Sequence, residues 1–127
     1  MSNNKKKILI VDDDEAVRKT IKTMLTTEEK YDIKEAEDGL IAEKKIEEFL
    51  PDLIILDIRM PKKDGYEVLW DLKKRPSMQH VKVVAVSGFS GNIGGVIMDV
   101  LGVDCFFKKP FDIKKFKEKI ASLLECA

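Results

Sequence analysis

Residues 8–14 read ILIVDDD, four apolar residues followed at once by three aspartates. A short apolar run rich in β-branched residues is typical of a strand that is buried on both faces, as the strands of parallel sheets are. Similar runs occur at residues 53–56 and 83–86, and polar residues follow each of them. Residues 8–14 therefore predict the first strand of a parallel sheet, with acidic groups at its carboxyl end.

Two weaker strands are predicted at residues 31–36, which alternate like an edge strand, and at residues 103–107.

Helical patterns separate the strands. Apolar residues recur at helical spacing in four segments: Val17, Ile21, Met24 and Leu25; Ala42, Ile46, Phe49 and Leu50; Val68, Leu69 and Leu72; and Ile113, Phe116, Ile120, Leu123 and Leu124. A further helix is expected to begin late, near Val96, because four of the seven glycines lie between residues 88 and 95. Strands that alternate with about five helices, without hairpin turns, predict a doubly wound α/β sheet with five parallel strands and right-handed crossovers.

Length and composition describe an ordinary globular chain. The 127 residues suit a single domain, predicted over residues 1–127 with residues 1–6 as a flexible leader. Lys and Arg total 23, as do Asp and Glu, and this neutral balance argues against a dedicated nucleic-acid binder. No apolar run is long enough to span a bilayer or to form the core of a signal peptide. Cys105 and Cys126 are too isolated to indicate a disulfide framework or a zinc site, so a soluble, cytoplasmic domain is expected.

Polar side chains follow four of the predicted strands. They are Asp12, Asp13 and Asp14 after the first strand, Asp57 after the third, Ser87 after the fourth, and Lys108 and Lys109 after the fifth. Ligands of doubly wound sheets bind at the carboxyl ends of the strands. Carboxylates that converge there repel one another unless a cation neutralises them, and oxygen ligands favour a hard ion such as Mg²⁺. A lysine beside that ion offers a positive charge to an anion, and together these groups are suited to phosphoryl transfer. Asp14 is expected instead to cap the helix that follows it.

Five short motifs, in this order, resemble the receiver domains of two-component response regulators. They are ILIVDDD at residues 8–14, LDIRMP at residues 56–61, Asp64-Gly65, VAVSG at residues 84–88, and Lys109-Pro110-Phe111. The resemblance covers essentially the whole chain and is to single-domain receivers of the chemotaxis-regulator type. It implies a flavodoxin-like sheet with the strand order 2-1-3-4-5.

The resemblance also implies a chemical role for each matching acidic residue. Asp57 matches the phosphoacceptor, whose carboxylate takes a phosphoryl group from a phosphohistidine of a partner protein. Asp12, Asp13 and Asp57, together with the main-chain carbonyl of Arg59, match the ligands of Mg²⁺ or Mn²⁺. The implied receiver would catalyse its own phosphorylation and slow dephosphorylation, without the turnover of a conventional enzyme.

Four further positions match residues that bind the phosphoryl group or respond to it, and a fifth, Pro110, matches a cis-proline of the family. Lys109 matches the lysine that contacts the phosphate, and Ser87 matches the hydroxyl that moves toward it, with Gly88 beside it. Phe106 matches the aromatic residue that turns inward on activation. The resemblance implies a cis bond before Pro110, and cis bonds are essentially confined to such X–Pro positions.

Two bulky residues are candidates for tuning the lifetime of the phosphorylated form. Arg59 and Phe89 each lie two residues beyond a matched site residue, at positions that flank the path of the hydrolytic water in the family. We expect their side chains to shield the acyl phosphate.

The resemblance implies protein partners on both sides of the reaction. A sensor histidine kinase or a histidine phosphotransfer protein would donate the phosphoryl group, because His80, the only histidine, is expected in a solvated loop. A downstream protein would bind the face formed by the helix near Val96, the fifth strand and the last helix, or the phosphoryl group would be relayed onward. Neither direct contact with nucleic acid nor membrane insertion is expected.

Three other interpretations of the same residues are weaker. A phosphatase of the haloacid-dehalogenase type has a second aspartate two residues after its nucleophile, and Arg59 occupies that position here. A nucleotide-binding α/β domain needs a glycine-rich phosphate loop, whose spacing the glycines of residues 88–95 do not match. The best alternative is a pseudo-receiver, a protein-interaction module that works without phosphorylation, although such proteins usually lack an acidic or lysine residue that is present here.

Overall fold

Five strands and four α-helices alternate along the parts of the chain that the computed structural model describes, residues 5–27, 29–58, 65–88 and 102–125, with only the backbone of Tyr66. The strands are β1 (Lys6–Val11), β2 (Tyr31–Ala36), β3 (Leu53–Asp57), β4 (Lys82–Ser87) and β5 (Cys105–Lys108). The helices are α1 (Glu15–Thr26), α2 (Gly39–Phe49), α3 (Gly65–Lys73) and α4 (Ile113–Glu125), and a short 3₁₀ helix covers Pro76–Met78.

The strands form one parallel sheet in the order β2-β1-β3-β4-β5. This order and the doubly wound class confirm the predicted fold, and β2 lies at an edge as its alternating pattern indicated. The central β1 and β3 are paired in register, with Ile8 opposite Leu53 and Val11 opposite Leu56. The carboxyl ends of β1, β3, β4 and β5 therefore meet at one edge of the sheet.

Successive side chains of the central strands point to opposite faces, so the sheet has a core on each side. One core packs α2 and α3 against Leu9, Val11, Ile54, Leu56, Val83 and Ala85. The other packs α1 and α4 against Ile8, Ile10, Leu53, Ile55, Val84 and Val86. All twelve of these strand residues are buried, because helices cover both faces of the sheet.

Three element boundaries differ from the predicted ones. β1 begins at Lys6, which was placed in the flexible leader and instead pairs with Tyr31 of β2. β5 begins at Cys105, after the buried Val103. Leu50 was placed on the apolar stripe of α2, but it ends the helix in a left-handed conformation with φ of 53° and is 54% exposed. Leu50 precedes Pro51, and a proline ring disfavours the right-handed helical conformation in the residue before it.

The helix expected near Val96 lies outside the described residues, as do residues 1–4 of the predicted leader. Among the described residues, no helix has both the length and the apolar character that a membrane span requires.

Candidate functional site

Four polar residues from three neighbouring strands meet at the carboxyl edge of the sheet. Asp12 directly follows β1, Asp57 ends β3 and Ser87 ends β4, and these residues are almost fully buried at 1%, 4% and 1% exposure. Asp13, the next residue after Asp12, is exposed. The edge therefore joins buried polar groups to a solvent-facing carboxylate.

Three carboxylates at this edge are close enough to share one cation. Asp12, Asp13 and Asp57 can each offer one oxygen such that these atoms all lie within 4.8 Å of one another. Hard cations such as Mg²⁺ use a few carboxylate oxygens and complete their shell with water or phosphate. The donor set and its spacing fit the predicted divalent-ion site.

Lys109, which directly follows β5, brings a positive charge to the same place. Its ammonium group lies 2.7 Å from Oδ2 of Asp12 and 3.4 Å from Oδ2 of Asp57. Burial alone would lower the pKa of Lys109, but hydrogen bonds and charge attraction from the two carboxylates outweigh that effect and raise the pKa above its usual value. Lys109 is therefore a permanent cation at the site across the ordinary pH range.

Asp12 is held at four points. Its Oδ1 accepts the main-chain N–H of Asp14 at 2.9 Å, and its Oδ2 accepts the Lys109 ammonium. Its own N–H donates to the carbonyl of Ala36, and its carbonyl accepts Nη1 of Arg18 at 2.6 Å. Each polar group of this buried residue is thus satisfied, as burial requires.

Asp14 caps α1, as predicted. Its Oδ1 accepts the main-chain N–H groups of Ala16 at 2.9 Å and Val17 at 3.4 Å. The cap satisfies helix donors that lack intrahelical partners. The three consecutive aspartates therefore divide into two that face the shared site and one that starts the helix.

On the other side of the site, the end of β4 is hydrogen-bonded to the segment that follows β5. The N–H of Lys109 donates to the carbonyl of Ser87 at 2.8 Å, which extends the pairing of the two strands to the lysine. The bond between Lys109 and Pro110 is cis, as the resemblance implied. Phe106 is partly buried against the core on the side of α2 and α3, whereas Phe107 packs on the opposite side of the sheet.

Comparisons with known proteins decide which family this arrangement represents. The family described as the response regulator receiver domain matches residues 8–121. This chain belongs to that family.

Several receiver-containing proteins resemble it along almost its whole length. The "Probable transcriptional regulator ycf27" of Cyanophora paradoxa is 36% identical over 98% of this chain and 50% of that protein. The "Histidine kinase P4" of Formosa agariphila is 37% identical over 95% of this chain and 9% of its own length. The ycf27 regulators are about twice as long as this chain, which spans about half of their length.

Solved structures agree with both the fold and the family. A CheY-like receiver domain protein from Methanospirillum hungatei is 33% identical, with a TM-score of 0.82 over 95% of this chain and 94% of that one. The receiver domain of a signal transduction histidine kinase from Syntrophus aciditrophicus is 29% identical, with a TM-score of 0.84 over 94% and 90% of the two chains. The receiver domain described here is therefore a component of two-component signalling.

Sequence reasoning missed two residues that shape this receiver's site. The first is Arg18, whose guanidinium joins the Asp12 carbonyl to Glu35 of β2. In the sequence, Arg18 is one of several charged residues of α1. Many such residues are solvated, so nothing distinguished this one.

The second is Gly65, noted as part of a motif but without a physical reason. A Cβ at this position would lie 2.4 Å from the Asp57 carbonyl oxygen and 2.6 Å from Cα of Ile58. The first residue of α3 therefore packs directly on the backbone of the predicted phosphoacceptor, where only glycine fits.

The other residues singled out in the sequence lie outside the described part of the chain or are exposed. Arg59 and Phe89, the candidates for tuning the phosphoryl lifetime, lie outside the described residues. Gly88 is exposed, and a Cβ there would meet no atom within 4 Å, so its packing does not require glycine. His80 is exposed, as expected.

Proposed function

We propose that this receiver domain accepts a phosphoryl group on Asp57 from a phosphohistidine of a sensor histidine kinase or a histidine phosphotransfer protein. The observation that carries the proposal is the convergence of Asp12, Asp13, Asp57 and Lys109, three carboxylates and one ammonium group, at one edge of the sheet. A relative that is itself a histidine kinase supports the choice of partner.

In the proposed step, a carboxylate oxygen of Asp57 forms a bond to phosphorus as the phosphorus–nitrogen bond of the donor histidine breaks. The donor imidazole keeps the electron pair of that bond and takes up a proton. Asp57 is buried at the end of β3, which fixes the position of its carboxylate. This position is the carboxyl edge of the sheet, where a donor can approach. Fixed position and orientation supply much of the rate of such transfers.

Charge repulsion between the carboxylates and the incoming phosphoryl group opposes the step. The Lys109 ammonium, 3.4 Å from Asp57, reduces this repulsion on one side and can shift toward a phosphoryl oxygen. Mg²⁺ or Mn²⁺, held by Asp12, Asp13 and Asp57 and by the Arg59 carbonyl that the resemblance adds, would supply further positive charge beside that of Lys109. The Asp12 side chain is already oriented for this by Asp14 and Lys109.

Phosphorylation adds negative charge and acceptor oxygens at the edge of the sheet. We propose that Ser87, buried at the end of β4, then binds a phosphoryl oxygen and that Phe106 moves with it. The surface formed by the helix expected near Val96, by β5 and by α4 would change in response and bind a downstream protein or serve a phosphorelay. The neutral charge of the chain favours a protein over nucleic acid as the direct target.

The test is the intact mass of the protein after incubation with acetyl phosphate or phosphoramidate, with Mg²⁺ or with EDTA. We expect one added phosphoryl group in the parent, none in EDTA and none in Asp57→Asn. Asp52→Asn is the matched control, because Asp52 lies just before the other end of β3 and binds the N–H of Lys7 at 2.8 Å. This control should be phosphorylated like the parent.

Rapid hydrolysis could hide the adduct, so binding of beryllium fluoride, a phosphoryl mimic, is measured in the same samples. An adduct that persists in Asp57→Asn would exclude Asp57 as the acceptor. Neither adduct nor beryllium fluoride binding in the parent would exclude phosphorylation and leave the pseudo-receiver interpretation.

A further inference from the structure

Arg18 connects the edge strand β2 to the loop that carries Asp12 and Asp13. It lies on α1, and its side chain is only 14% exposed. Its Nη1 donates to the main-chain carbonyl of Asp12 at 2.6 Å, and its Nε donates to Oε1 of Glu35 at 3.1 Å. One planar guanidinium thus binds two acceptors in a fixed geometry.

The carbonyl that Arg18 binds belongs to the peptide unit between Asp12 and Asp13. Because a peptide unit is planar, fixing the direction of this carbonyl also fixes the direction in which the chain continues to Asp13. The Asp13 carboxylate is exposed, and no described residue forms a hydrogen bond or ion pair with it. Its position relative to Asp12 and Asp57 therefore depends on the backbone, which Arg18 holds.

Glu35 in turn holds Arg18 in place. Glu35 lies on β2, in register with Ile10 of β1, so its backbone belongs to the rigid sheet. Its second carboxylate oxygen lies 3.4 Å from the Lys22 ammonium, one turn further along α1. The edge strand thus provides a fixed anchor for the guanidinium.

We infer that Arg18, anchored by Glu35, is a positioning residue that aligns the Asp12–Asp13 peptide for binding a divalent cation. This inference rests on the proposed function, because it assigns Arg18 to the ion site of that proposal. Arg18 does not contact the ion; it determines where the Asp13 carboxylate lies. Partners that orient metal ligands commonly contribute about 10–100-fold to metal affinity.

The sign of the effect separates positioning from simple electrostatics. Arg18 carries a positive charge near a cation site, so if charge alone mattered, removing it would strengthen cation binding. If Arg18 aligns the loop, removing it weakens cation binding although the local charge becomes more favourable. The two explanations therefore predict opposite changes in the dissociation constant.

The experiment is a titration of the whole chain with Mn²⁺, followed by the electron paramagnetic resonance signal of the free ion. We expect Arg18→Ala to bind Mn²⁺ about tenfold more weakly than the parent. Arg18→Lys keeps the charge but loses the planar pair of donors, so we also expect weaker binding. Glu35→Gln should weaken binding to a smaller extent, since its amide oxygen still accepts a hydrogen bond.

Arg75→Ala is the matched control. It also removes one arginine from an ion pair with a glutamate, Glu47 at 3.1 Å, but this pair joins the segment after α3 to α2. Its Mn²⁺ affinity should equal that of the parent. In the phosphorylation assay, Arg18→Ala should need more Mg²⁺ for half-maximal rate and approach the parent rate at saturating Mg²⁺, which a general loss of structure would not produce.

Equal or tighter Mn²⁺ binding by folded Arg18→Ala and Arg18→Lys would overturn the inference and leave the proposed function intact. If Arg18→Ala does not fold by circular dichroism, Arg18→Lys decides the question alone, because it keeps the charge and changes only the geometry of the donors. A parent that binds no Mn²⁺ would contradict the ion site of the proposed function itself.

Discussion

The Lys109 ammonium lies 2.7 Å from Oδ2 of Asp12, although the two residues are 97 positions apart in the chain. The pair connects the end of β1 with the end of β5, across the full width of β3 and β4. The same ammonium reaches the Asp57 carboxylate at 3.4 Å. One lysine therefore provides positive charge to two nearly buried carboxylates.

Replacing Lys109 with methionine should lower the free energy of unfolding by up to about 3 kcal/mol in EDTA, because it leaves buried carboxylates without this partner. Mg²⁺ should recover part of the loss, since binding to the folded state alone stabilises it. Urea denaturation measures both effects. Lys108→Met is the control, because Lys108 is exposed and should change stability by less than about 0.5 kcal/mol. Equal stability of the two variants in EDTA would show that the Lys109 pairing contributes nothing.

The neighbouring aspartates 13 and 14 should separate stability from ion binding. Asp14→Ala removes the cap of α1 and should cost about 1 kcal/mol in the free energy of unfolding, with Mn²⁺ affinity unchanged. Asp13→Ala should do the opposite, weakening Mn²⁺ binding without destabilising the fold, because it removes an exposed carboxylate from a group of like charges. Thermal unfolding and Mn²⁺ titration of both variants provide the comparison. A loss of Mn²⁺ affinity in Asp14→Ala that matches that of Asp13→Ala would contradict this division.

Gly65 should tolerate no side chain. In Gly65→Ala the new methyl would lie 2.4 Å from the Asp57 carbonyl oxygen and 2.6 Å from Cα of Ile58, and both of these are backbone atoms. We expect the free energy of unfolding to fall by about 3 kcal/mol or more. Gly88→Ala is the control, since its methyl would meet no atom within 4 Å and should change stability by less than about 0.5 kcal/mol. Similar stability of the two variants would mean that α3 is not packed as closely on β3 as described.

The Cys105 thiol should react slowly with alkylating reagents. Burial raises the pKa of this thiol, outweighing the charge of Lys119, which lowers it. The reactive species is the thiolate, so at pH 8 a raised pKa leaves a smaller reactive fraction than in a free thiol, and the rate should still increase above pH 9. Iodoacetamide labelling of a Cys126→Ser variant, followed by mass, measures the rate against glutathione. Labelling as fast as that of glutathione at pH 8, without urea, would contradict the raised pKa.

Much of the fold could be predicted because the relevant signals are local. The apolar runs at residues 8–11, 53–56 and 83–86 are strands, and each strand in the structure is only one or two residues longer than the run that predicted it. The last strand was less well predicted, since Val103 is buried like a strand residue but precedes β5. Pro51 correctly predicted the end of α2, but apolar spacing alone also placed Leu50, the residue before it, on the buried stripe of the helix.

The sequence by itself determined the alternation of strands and helices, the acidic residues after β1 and β3, and the cap at Asp14. These depend on side-chain periodicity and on contacts between residues a few positions apart, which a linear sequence displays. Only the tertiary structure decided that Lys109 pairs with Asp12, that Arg18 holds the Asp12 carbonyl, and that Gly65 packs on the backbone of Asp57. The first depends on a distance between elements far apart in the chain. The Arg18 contact depends on how the first turn of α1 lies against β2, and the Gly65 contact on how closely α3 packs back on the end of β3. Such distances arise only when the sheet has assembled and its strand ends have been brought to a common edge.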